Sequence, residues 1–295
     1  MKFKMKKLLT LSALALFVLS CTDTQTNNEN NHAISIEDGY QDFSSAMLTA
    51  KGIVQEVLIA AYKNPELNDF SDDYVTNRTD CPTETDLTPD VFPKTLRYDY
   101  GDETCLSDGN ANMVGIVEIT VSDKLGTPGM TIIVKPLERF AKDGHSAKLT
   151  EDDEDAIFMA QFKSDVVLTD SYDLFIKGLE VTDEQGNLAI IKDLEGASIG
   201  FDDVDKNNED PSGSPSLYLD DLAIINFDQM VLVNHENELL NVTVKNPIQF
   251  DFLCKCPLGG DIEIQDEKEN IQYINYSGNE ECTGRILVDT EEIDC

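Results

Sequence analysis

The chain has 295 residues, 57 acidic against 22 basic, for a formal net charge of −35. A surface that negative repels phosphate backbones and anionic headgroups and attracts cations and basic peptides, so nucleic acid is excluded as a partner. The absence of Trp and an aromatic content of 7% argue against a sugar-stacking groove.

The N-terminus has the pattern of an export signal. Lys2, Lys4, Lys6 and Lys7 precede an apolar run from Leu8 to Leu19. That run is too short to span a bilayer, which takes about 20 apolar residues, and it matches the core of a cleaved signal peptide. It ends in Val18-Leu19-Ser20-Cys21, which resembles the lipobox of bacterial lipoproteins. The expectation is cleavage before Cys21, lipidation of Cys21, and anchoring in the cell envelope, with the outer membrane as the expected place. Residues 22–32 (TDTQTNNENNH) lack large apolar groups and form a flexible tether. The expected layout is signal peptide 1–20, tether 21–36, helix 37–66, a first β half 80–200 and a second β half 215–295. The two halves can also form one domain. Export removes four lysines, leaving 18 basic against 57 acidic residues and a net charge near −39.

Tyr40, Phe43, Met47, Ala50, Val54, Val57 and Ala61 recur at three- and four-residue steps. They predict a helix over Glu37–Lys63 with one apolar face, stopped by Pro65. From Val91 on, the pattern turns to β. Runs 114–121, 131–135, 172–181, 217–227, 230–234, 239–245 and 262–264 are β-branched or aromatic. Turn-rich pieces such as 126–129, 184–187 and 266–270 separate them. Glu151 to Asp155 and Phe201 to Pro215 are expected as loops. Short strands without alternating helices predict a mainly β fold, an antiparallel sandwich or open curled sheet, with the amphipathic N-terminal helix packed on it.

Besides Cys21 there are six cysteines: Cys81, Cys105, Cys254, Cys256, Cys282 and Cys295. An even number in an oxidising compartment points to disulfides, and six allow 15 connectivities. A metal site on Cys254-Lys255-Cys256 fits less well, because C-x-C is short for structural zinc and no His is near. A weak internal echo joins Tyr98–Cys105 with Ile274–Cys282. Both run strand, Gly-containing acidic turn, cysteine, strand.

These segments carry a resemblance. Phe92-Pro-Lys-Thr-Leu-Arg-Tyr-Asp-Tyr-Gly101 with Cys105 resembles the "FPKTITIDFGDGC" element of uncharacterised lipoproteins of Bacteroidota, especially flavobacteria. Pro247–Cys254, Pro257–Ile264 and Ile274-Asn-Tyr276 with Cys282 are similar to a second element of the same family. The likeness covers both ends of the chain well and the middle poorly, where acidic residues replace the family's Thr/Arg-rich strands. It implies an envelope lipoprotein and no particular activity. The expected pairing is Cys81–Cys105 and Cys254–Cys282, with Cys256 and Cys295, which are extra to the family's pattern, paired with each other.

Asp203-Val-Asp205-Lys-Asn207-Asn-Glu209-Asp210 sets oxygen ligands at alternate positions, like the start of a calcium loop. Asn208 stands where Gly is usual and Ser214 where a bidentate Glu is usual. Calcium is the one candidate ion; a flexible acidic insertion is the alternative. Catalytic signals are thin. His145 and His235 sit in polar contexts outside any zinc-ligand spacing, and no nucleophile elbow or phosphate loop is present. The expectation is a non-enzymatic binding or structural module. A carrier of a lipid or other apolar ligand beneath the helix, or a hydrolase using a carboxylate pair, are the alternatives.

Overall fold

The computed structural model describes residues 36–67, 81–106, 112–125, 127, 129–137, 139–150, 158–162, 171–202, 222–250, 257–276 and 285–294. Residues 34–295 form one compact unit. The fold is mainly β, with a single described helix near the N-terminus, α1 (Ile36–Lys63).

Among the described residues, an eighteen-stranded antiparallel sheet follows the helix. Its first part comprises β1 (Thr83–Asp86), β2 (Lys94–Asp99), β3 (Cys105–Leu106), β4 (Asn112–Val114), β5 (Ile116–Val121) and β6 (Thr131–Pro136). Then come β7 (Ala141–Lys142), β8 (His145–Leu149) and β9 (Phe158–Phe162). Successive pieces are halves of interrupted passages. β2 pairs with β5 while its continuation β3 pairs with β4, and β6 pairs with β5 and β9. β7 joins β4 to β8. Both β8 and β9 then lie along the long strand β10 (Ser171–Thr182).

Beyond it run β11 (Leu188–Asp202), β12 (Leu222–Asn226), β13 (Gln229–Val233) and β14 (Leu239–Phe250). The sheet finishes with β15 (Gly259–Asp266), β16 (Ile271–Asn275), β17 (Arg285–Val288) and β18 (Glu291–Asp294). β12 and β13 bridge the two halves of β11 to β14, and each later strand pairs with the next. The whole is an up-and-down meander in which neighbours in sequence are neighbours in space.

Alternation along the strands places one set of side chains in the core. β5 and β6 bury every second residue, as period-2 strand geometry requires. Those inward residues and α1 make a single contiguous core. Two features depart from the sequence expectations. First, α1 is enclosed almost all round rather than along one face. Every described residue from 39 to 61 is buried except Gln41, Ser45, Leu48 and Ala60. The predicted apolar stripe is in the core, and so are Thr49, Lys51, Gln55 and Glu56 on the other flanks. A helix buried on most of its faces is covered from several directions at once, as a curled sheet covers it. Its partners agree, coming from β7, β8, β10 and β11, from Glu84 of β1 and from His235 between β13 and β14.

Second, the longest strand, β11, was not expected. Its Lys192, Asp193, Glu195 and Gly196 break the alternation, and the register slips between Ile191 and Asp193 where a bulge sits. Phe201 and Asp202, expected in a loop, close β11 opposite Ala223 and Leu222. The helix begins at Ile36, one residue before the expected start.

Cys81 is bonded to Cys105, with Cα atoms 6.3 Å apart. With 24 residues of separation, removing the bridge by Cys81→Ala with Cys105→Ala is expected to cost about 3 kcal/mol in the chain-entropy view. Denaturant unfolding of the double variant against the oxidised parent measures it.

Candidate functional site

Most of the sequence-nominated positions lie outside the described residues: Cys21, Cys254, Cys256, Cys282 and Cys295, and the acidic stretch Asp203, Asp205, Asn207, Glu209 and Asp210. Among the described residues no three His, Cys, Asp or Glu side chains converge as a metal set. His145 opens β8, its Nδ1 3.3 Å from the carbonyl oxygen of Asp143. His235 sits in the β13–β14 turn and faces α1. Its backbone N–H donates to Asp42 Oδ2 at 3.0 Å, and its Nδ1 is 2.8 Å from the same oxygen. Asp42, itself buried, thereby ties the first turns of the helix to that hairpin.

Of the two echoing segments, the strand ends at Tyr100 and Tyr276 are described and are alike in geometry, while residues 277–282 of the second lie outside the described residues. In the first half, Tyr100 follows the end of β2 and its N–H donates to the Gly115 carbonyl at 2.8 Å. In the second half, Tyr276 follows the end of β16 and its N–H donates to the Gly260 carbonyl at 2.9 Å. Asp99 stands opposite Ile116, as Asn275 stands opposite Asp261. Both glycines have positive φ, +81° and +107°, and each is crossed by a third segment. A Cβ on Gly115 would stand 2.3 Å from the Arg139 carbonyl oxygen, and one on Gly260 2.5 Å from that of Pro247. Both tyrosines are buried. Tyr100 meets Phe140 edge-on at 6.2 Å, an arrangement that aromatic quadrupoles favour.

Tyr276 reaches the helix beside Tyr40 and Ser44. Burial pushes the Tyr40 phenol up to about 12, and it raises Tyr276 as well. The Ser44 hydroxyl is near enough to oppose both shifts, yet neither it nor the Tyr276 hydroxyl has a partner in hydrogen-bond geometry. Desolvation is the larger effect, so both phenols stay neutral well above physiological pH.

At the far end of α1 the chain builds a charged clasp under an apolar loop. Asn64, just past the helix, donates from Nδ2 to Glu84 Oε1 at 2.8 Å, and the Leu125 N–H donates to the Leu67 carbonyl at 2.7 Å. The Lys94 side chain is only 3% exposed and is held between Glu66 and Asp86, the latter at 2.7 Å. Hydrogen bonding from the Lys94 ammonium, against a smaller opposing push from burial, holds the Asp86 carboxyl below its ordinary range. The two carboxylates raise Lys94 in turn.

The sign of the pH dependence follows. The depressed Asp86 contributes stability above its unfolded value of about 3.9, lost as pH falls through its folded value. The raised Lys94 contributes below about 10.4, lost as pH rises through its folded value. Asp86→Asn is therefore expected to lower stability by about 1 kcal/mol at pH 7, allowing for screening, and the difference should shrink as pH falls below the ordinary carboxylate range. Parallel urea melts from pH 2 to 8 test this; a constant difference would show that the ion pair is not the cause.

Above the clasp, residues 87–93 carry Leu87, Val91 and Phe92 outward, all substantially exposed. The loop is braced from within. The Thr88 N–H donates to Asp86 Oδ1 at 2.9 Å, the Thr95 N–H to Thr88 Oγ1 at 2.7 Å, and the Leu87 N–H to the Thr95 carbonyl at 2.9 Å. Sequence reasoning noticed this stretch only for its likeness to a family element. The available signal was an apolar Val-Phe pair inside turn residues in a very acidic chain. A comparison with protein families, curated proteins and solved structures found no match for the chain.

Proposed function

We propose that the chain is a lipid-anchored cell-envelope protein, held by lipid on Cys21 in the outer membrane, whose folded part is a non-enzymatic binding or structural module. One observation carries the choice of module over carrier. The inner face of the curled sheet, where a carrier would house an apolar ligand, shares one contiguous core with the chain's own helix. A carrier needs a ligand-sized apolar cavity of some 300 Å³ or more, and α1 lies where that ligand would go. The proposal includes membership of the flavobacterial lipoprotein family, supported by the geometric equivalence of the two Tyr–Gly elements.

Intact-mass measurement of the membrane-extracted protein tests the anchor. Cleavage before Cys21 with a diacylglycerol adduct is the expected result, and Cys21→Ala should release the chain from the membrane. Native mass of the soluble domain tests the module. A co-purifying apolar mass that is lost on denaturation would turn the reading to the carrier. Calcium enters as an expectation on Asp203, Asp205, Asn207, Glu209 and Asp210. Millimolar calcium should raise the melting temperature, an effect lost in Asp203→Ala with Asp205→Ala; no shift would remove the ion from the proposal.

A further inference from the structure

We draw no further inference here: the strongest candidate, the surface patch of Leu87, Val91 and Phe92 on the loop between β1 and β2, is one of several exposed apolar places in the fold, and nothing in the structure shows what covers it.

Discussion

Replacing Gly260 by alanine is expected to cost at least about 3 kcal/mol and to prevent folding if the parent is only marginally stable. Two effects add. At φ +107° an L side chain is strained by roughly 1–2 kcal/mol. The new Cβ would also stand 2.5 Å from the Pro247 carbonyl oxygen and 2.7 Å from the Ile248 Cα, both backbone atoms inside β14 that cannot rotate away. The same substitution at Gly115 meets the Arg139 carbonyl carbon and oxygen within 2.4 Å and should cost as much. Gly101 is the control. Its φ is +81°, but an added Cβ meets nothing within 4 Å, so Gly101→Ala should show the strain alone, about 1 kcal/mol. Equal losses at Gly101 and Gly260 would refute the close-crossing account of the repeat.

Truncating Phe43 to alanine is expected to lower stability by about 3–5 kcal/mol, the range for a fully enclosed aromatic core residue. Phe43 is 0% exposed and lies among the core residues that join α1 to the sheet. Gln41, two residues earlier on the exposed line of the same helix, should tolerate alanine within about 0.5 kcal/mol. The contrast discriminates between a helix threaded through the fold and one resting on its surface. Chemical denaturation of the two variants reads it directly. A loss below 1 kcal/mol at Phe43 would mean that the helix is not part of the cooperative core.

Much of the architecture was legible beforehand because it is local. The period of apolar residues from Tyr40 to Ala61 specifies a helix wherever the chain lies, and the β-branched runs at 114–121 and 131–135 specify strands by the same logic. Turn residues placed the hairpins. Asp266 accepts the Lys268 and Asn270 N–H groups, as Asp183 accepts those of Gln185 and Asn187. These contacts reach no further than four residues, so composition alone announces them. Cys81 and Cys105 were nominated as partners and are bonded.

What the tertiary structure decided is everything that depends on distant neighbours. Lys51, Gln55 and Glu56 look like a solvated helix face, and they are buried only because a sheet hundreds of residues long in sequence closes around them. β11 looks too polar and too interrupted for a strand, and it holds because β10, β12 and β13 supply its hydrogen bonds on both sides. Gly115 and Gly260 are unremarkable in the sequence. Their role appears once β14 and the segment after β6 cross within a side chain's width. Likewise, Leu87, Val91 and Phe92 acquire meaning from position. Periodicity reports which face of an element is apolar, but only the packed fold determines which apolar groups remain outside, and at which end of the molecule they stand.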